Sequence, residues 1–222
     1  MARMRSLSYV RGMELFALSS SVTGNKIVVG ICGKACAGKD QVVQQFAQAG
    51  FFVVDADKLG IEALTVRFEE LIRVFGTHIL NAEGHIDRTL LGARVFSNAH
   101  DLVALNAISH PYIKERITAI IAASSQRYIV INAALLPLIK VEPISCVVWV
   151  VAPLITRIKR ALKRDQRSLR FVMQRIWAQR RLSVNLYYQR VDRYKIENRS
   201  DLAHLQQKSD ELIVHIKGVY DA

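Results

Sequence analysis

The chain is poor in cysteine, in long apolar runs and in low-complexity sequence, and each shortage narrows what it can be. Only Cys32, Cys36 and Cys146 occur in 222 residues. Their number is odd and their spacing matches no metal-ligand pattern, which argues against a disulfide framework or zinc module and for a reducing cytoplasm. No apolar run approaches the roughly 18 residues of a membrane span. The longest candidate, Cys146 to Ile155 (CVVWVVAPLI), is interrupted by Pro153 and reads as a buried strand. The segment MELFAL is too short for the apolar core of a signal peptide, so residues 1–24 read as a poorly ordered extension or the product of an upstream start codon. Repeats and linker-like stretches are missing too. The length suits one sizeable core with a lid, and 51% hydrophobic with 23% charged residues suits a soluble globular protein.

Charge is present but lopsided. The formal net charge is +12, and the segment from Arg157 to Arg199 holds fourteen Lys and Arg against Asp165, Asp192 and Glu197. Eleven of the twelve net charges therefore sit there. Such a segment could bind nucleic acid, close over a small polyanion, or form a solvated helix face.

Strands alternate with helices along the chain. Lys26 to Ile31 (KIVVGI) is a β-branched run of the buried parallel type. A glycine-rich loop and a helical pattern at Val42, Val43, Phe46 and Ala47 follow, then FFVVDAD as a second strand. Helical patterns fill about residues 59–125, including DLVALNAI and PYIKERITAIIAA as separate segments. YIVINAALL and CVVWVVA are further strands, two basic helices cover about 156–186, YKIEN is a short last strand, and a helix closes the chain. The class is α/β with a parallel five-stranded sheet, in a single unit over 25–222.

The first loop carries the clearest chemistry. Gly33, Gly38 and Lys39 fit G-x-x-x-x-G-K between a strand and a helix, the context a phosphate-binding loop requires. Glycines let the backbone curl with N–H groups inward, and the helix N-terminus adds its dipole. The candidate nucleotide-binding stretch is Gly33, Lys34, Ala35, Cys36, Ala37, Gly38, Lys39, Asp40 and Gln41. Asp40 stands where Ser or Thr is usual. It has three readings: a direct Mg²⁺ ligand, a favourable charge at a helix N-terminus, or a carboxylate that repels phosphate and marks a dead site. Cys36 reads as a small residue filling the loop or as a thiol activated by the helix.

With these come VVDADKLG (Val53 to Gly60), GHIDRTLLGARVFSN and LNAISHPYI (within Gly84 to Ile113), RALKRD (Arg160 to Asp165) and VDRYKIEN (Val191 to Asn198). In these blocks the chain resembles the dephospho-coenzyme A kinase family, from about Lys26 to the C-terminus. The resemblance implies a three-layer P-loop kinase fold, a helical acceptor-binding insertion and an arginine-bearing lid. It implies transfer of the γ-phosphoryl group of ATP, with Mg²⁺, to the ribose 3′-hydroxyl of dephospho-coenzyme A. Asp57 would be the base. Lys39, Arg160 and Arg164 would act on the transferring phosphate, with Arg175 and Gln179 on the later lid helix, and Asn198 would lie on the adenine side. Asp55 and Asp57, two apart on an extended segment, are expected to point the same way. Asp55 is a candidate for acceptor binding and, with Asp40, for the metal; Arg88 and His110 are candidates for the acceptor. ATP and the acceptor are the expected partners, in a cytoplasmic monomer without nucleic acid or membrane.

Two departures stand out. The family's Pro-Leu-Leu-Phe-Glu segment appears as Ala133 to Pro137 (AALLP) without its Glu, and Asn132 stands where an acidic residue is common. Asp40 could compensate for Asn132. The alternatives are a P-loop kinase for another small acceptor, such as a nucleoside monophosphate, and a non-catalytic nucleotide- or RNA-binding module.

Overall fold

The computed structural model describes residues 26–165, 168–183, 188, 191–199 and 201–221. The expected extension over residues 1–24 lies outside the described residues. The sheet is built from β1 (Ile27–Gly33), β2 (Phe52–Asp55), β3 (Tyr128–Asn132), β4 (Cys146–Val151) and β5 (Asp192–Glu197), in the order β2-β3-β1-β4-β5. All four pairings are parallel. A parallel sheet is covered on both faces, which is why β1 is buried along its whole length.

One face of the sheet packs on α1 (Lys39–Gln48) and α9 (Leu202–Asp221) through Val42, Phe46, Leu212 and Ile216. The opposite face packs on α2 (Ala56–Val66), α5 (Ala99–Ala123) and the short α6 (Leu136–Ile139) through Leu59, Ile117 and Leu136. Between β2 and β3 the chain is helical, with α3 (Phe68–Phe75) and α4 (Arg88–Ser97) packed on α5 around a core of their own. The stretch expected as a lid, about 156–186, forms α7 (Leu154–Asp165) and α8 (Leu169–Ala178), with its residues 184–186 outside the described residues.

Two expectations change. DLVALNAI and PYIKERITAIIAA form one helix of 25 residues with Pro111 inside it. Its buried face, Ser109, Ile113, Ile117 and Ile121, continues through the proline, and this packing outweighs the one backbone donor that proline removes. The second strand ends at Asp55 rather than running through Asp57. The Asp55 side chain accepts hydrogen bonds from Asp57 N and Lys58 N and caps α2, so Asp57 lies in the first helical turn.

The order reverses at β1: the chain leaves it toward β2, and β4 returns to its other side. Ligands of open α/β sheets bind beyond the strand C-termini at such a point. The glycine-rich loop and Asn132 stand there.

Candidate active site

The loop between β1 and α1 is shaped by its two glycines. A Cβ on Gly33 would lie 2.5 Å from the carbonyl oxygen of Val150. Gly38 has φ 97°, left-handed backbone that L side chains rarely adopt, and a Cβ there would meet Asn198 Nδ2 at 2.2 Å. Cys36 also has positive φ, 59°, and packs against the cluster of Ala161, Val172 and Ile176 on α7 and α8. That contact favours the filling reading of Cys36.

Lys39 opens α1 and gathers the polar centre. Its Nζ donates to Asp40 Oδ1 at 2.8 Å, to Asp57 Oδ2 at 3.0 Å and to Asn132 Oδ1 at 2.8 Å. Asn132 Nδ2 in turn donates to Asp40 Oδ1 at 3.3 Å. Lys39 and Asn132 are largely buried, while Asp40 and Asp57 face solvent with side chains 65% and 59% exposed. Burial works against the Lys39 charge, but the Asp57 charge and the Asp40 hydrogen bond outweigh it, and the amine is held above its ordinary value. Burial also opposes ionisation of Asp40. The Lys39 hydrogen bond and charge, then Asn132 and the Arg164 charge, win and hold its carboxyl below the usual aspartate value. Asp40 Oδ1, Asp57 Oδ2 and Asn132 Oδ1 thus meet around one ammonium group.

Helices α7 and α8 rest on the loop. Arg160 Nη2 donates to Asn198 Oδ1 at 3.2 Å, and Asn198 Nδ2 donates to Ala37 O at 2.9 Å. Asn198, expected on the adenine side, is buried and ties Arg160 to the loop with both ends of its amide. Gln179, the C-cap of α8, accepts from Ala35 N at 2.7 Å. Arg164 stands one turn beyond Arg160 on α7, near enough to Asp40 to act on its charge. Arg175 lies in the last turn of α8, and Gln41 in the first turn of α1.

A cavity of about 270 Å³ opens between α2, α4 and α5. Asp57, Arg88 and His110 line it, as do Ala133 and Leu135 from the segment that departs from the family pattern. Asp87 caps α4 by accepting from Thr89 N and Leu90 N, which sets Arg88 at the mouth of the helix. Burial pushes His110 down to about 4, so its ring is neutral at pH 7. Asp55 is not among the lining residues. The expectation that Asp55 and Asp57 project side by side from one strand is thus corrected: Asp55 Oδ1 holds the helix cap, and that cap sets Asp57 on the lysine.

Two contacts went unnoticed in the sequence. Arg157 Nε donates to Ala35 O at 2.8 Å, and Lys34 Nζ donates to Arg180 O at 3.0 Å, away from Lys39. The only available signal was that Arg157 lies one helical turn before Arg160.

The arrangement joins a lysine-centred phosphate loop to a carboxylate that also lines the cavity of about 270 Å³. The family model for dephospho-CoA kinase matches residues 27–203. A dephospho-CoA kinase from Bacillus licheniformis is 35% identical over 167 residues, 70% of this chain and 81% of that protein. One from Borreliella burgdorferi is 38% identical over 113 residues, and there the match spans 50% of this chain and 55% of the relative's length. The solved structure of TT1252 from Thermus thermophilus superposes with a TM-score of 0.68 at 26% identity, covering 86% of this chain and 97% of that one. The five-stranded parallel sheet, the loop and the extent of these matches lead to one conclusion: the chain belongs to the dephospho-CoA kinase family.

Proposed function

We propose that the protein transfers the γ-phosphoryl group of ATP to the ribose 3′-hydroxyl of dephospho-coenzyme A, giving coenzyme A and ADP in the cytoplasm. One observation carries the reading. Asp57 lies 3.0 Å from the loop lysine and also lines the cavity that holds Arg88 and His110. A base shared by the phosphate loop and the acceptor cavity is what in-line transfer to a bound hydroxyl needs.

Lys39 is held by Asp40, Asp57 and Asn132. ATP phosphates compete for the same ammonium group, and drawing it toward them leaves the Asp57 carboxylate free to accept the hydroxyl proton. Arg160 and Arg164, i and i+4 on α7, offer guanidinium forks for charge spread over the equatorial oxygens. Arg88 supplies a positive charge for the acceptor's phosphates, and neutral His110 supplies a hydrogen-bonding ring to the same cavity.

The donor set fits Mg²⁺. This ion takes oxygen ligands, characteristically one or two carboxylates together with substrate phosphates, and Asp40 and Asp57 flank Lys39 with an amide oxygen beside them. Asp40 would hold the ion, with Asn132 orienting its carboxylate through the 3.3 Å hydrogen bond. Held there, Mg²⁺ would supply positive charge to offset that developing on the substrate phosphates. Asp55, with one oxygen committed to the helix cap, would act by holding Asp57.

A coupled assay with ATP, Mg²⁺ and dephospho-coenzyme A tests the proposal. Formation of the 3′-phosphorylated product is expected; no turnover with any divalent metal would refute it. A panel of nucleoside monophosphates separates this acceptor from its nearest rivals.

A further inference from the structure

Arg157 does more than brace the loop. It is 7% exposed, and its Nε is used on Ala35 O. Its Nη2 is buried with no hydrogen-bond partner among the described residues. A buried guanidinium donor without an acceptor is costly, and charged groups withdrawn from water are normally paired. Bracing alone would need only the Nε contact.

The surroundings sharpen the imbalance. Arg157 lines a cavity of about 420 Å³ beside the C-terminal end of β4, together with Lys34, Arg180, Arg181 and Ser183. No carboxylate is among the described lining residues. Arg180 is stacked on Trp177 at 4.4 Å and bonded to its carbonyl, which orders that guanidinium. Burial, then the Arg157 charge, holds the Lys34 amine below its ordinary value, and burial does the same to Arg157. Four cationic residues line a space large enough for a small phosphorylated molecule, and an oxyanion would satisfy the buried donor and relieve the mutual repulsion.

The place differs from the proposed ATP site. Lys39, Arg160, Arg164 and Asn198 do not line this cavity; it shares only Lys34 and Ala37 with the loop. We propose that Arg157, Lys34, Arg180 and Arg181 form a second oxyanion site, for a phosphate-bearing small molecule, on the lid side of the phosphate loop. Its ligand would bear on the loop through the two bonds at Ala35, from Arg157 Nε and to Gln179 Oε1.

Calorimetric titration tests the site in the full chain, with the phosphate loop first saturated by Mg²⁺ and a non-hydrolysable ATP analogue. Inorganic phosphate and phenyl phosphate are titrated separately. Binding that persists beside the analogue, and weakens by about tenfold in the double variant R180S/R181S, is expected. Tighter binding of phenyl phosphate would assign an organic phosphate, and tighter binding of inorganic phosphate the free ion. The two exposed arginines are substituted because Arg157→Gln could disturb the loop; Arg157→Gln, checked by its melting curve, is expected to abolish binding. No binding of either probe would show that Nη2 meets water alone and would overturn the proposal. So would binding that the analogue eliminates, or binding that the double variant retains in full.

Discussion

Asn132 at the end of β3 donates through Nδ2 to Oδ1 of Asp40 in the first turn of α1, at 3.3 Å, and the two share Lys39. The two unusual letters of this chain, a carboxylate in the loop and an amide on the strand, are therefore neighbours. Their contact supports an exchange in which the metal-side carboxylate has moved from one element to the other.

If that is so, Asp40→Ser should raise the Mg²⁺ concentration for half-maximal activity by on the order of tenfold. Asn132→Asp in the same background should recover most of it. Titrations of rate against Mg²⁺ measure both, and a single variant with unchanged metal dependence would count against the exchange.

Asp57→Asn keeps the shape of the side chain and removes the carboxylate proposed as the base. A fall in kcat of about 10²- to 10⁴-fold is expected, with a much smaller change in the KM for ATP. An equal loss in nucleotide binding would instead mean that Asp57 acts chiefly by holding Lys39.

Gly38→Ala brings two penalties: a left-handed φ of 97° and a Cβ 2.2 Å from Asn198 Nδ2. A stability loss of roughly 1–2 kcal/mol is expected from the backbone alone, with weaker ATP binding. Combining it with Asn198→Ala removes the clash but not the strain. Denaturant unfolding of the four proteins of this cycle should show partial recovery in the double variant; strict additivity would argue against the contact.

His110 gives a signed pH effect. Its ordinary value is 6.5 and burial lowers it to about 4 in the folded chain. Between these values the unfolded chain binds a proton that the folded chain refuses, so stability falls as pH drops through this window and is unaffected by His110 above it. The shift corresponds to roughly 3 kcal/mol at most. His110→Gln should flatten the decline of melting temperature between about pH 6.5 and 4; a decline as steep as in the parent protein would place the effect elsewhere.

Much of this was legible in the chain because it rests on local rules. Strand, glycine loop and helix follow one another within Ile27–Gln48, and the spacing of Gly33, Gly38 and Lys39 is itself the loop's geometry. Asp57, Arg160 and Asn198 stand in short blocks whose order survives reading along the sequence. The orientation of Asp55 relative to Asp57 was not legible, because an acidic residue at a strand end and one at a helix N-cap have the same local sequence. The choice between them depends on where the strand stops, which β3 decides by pairing Asp55 with Asn132.

By itself, then, the sequence determined the α/β class, the phosphate loop and the family, since periodicity and short motifs need only neighbours along the chain. Tertiary structure alone decided who meets whom. Asp40 and Asn132 are 92 residues apart, Asn198 and Ala37 are 161 apart, and Arg157 reaches Ala35 across 122. No local propensity encodes such distances. They arise because the parallel order β3-β1-β4 stacks strand ends at one edge, and burial there makes each polar group find a partner or leaves it, like Arg157 Nη2, without one among the described residues.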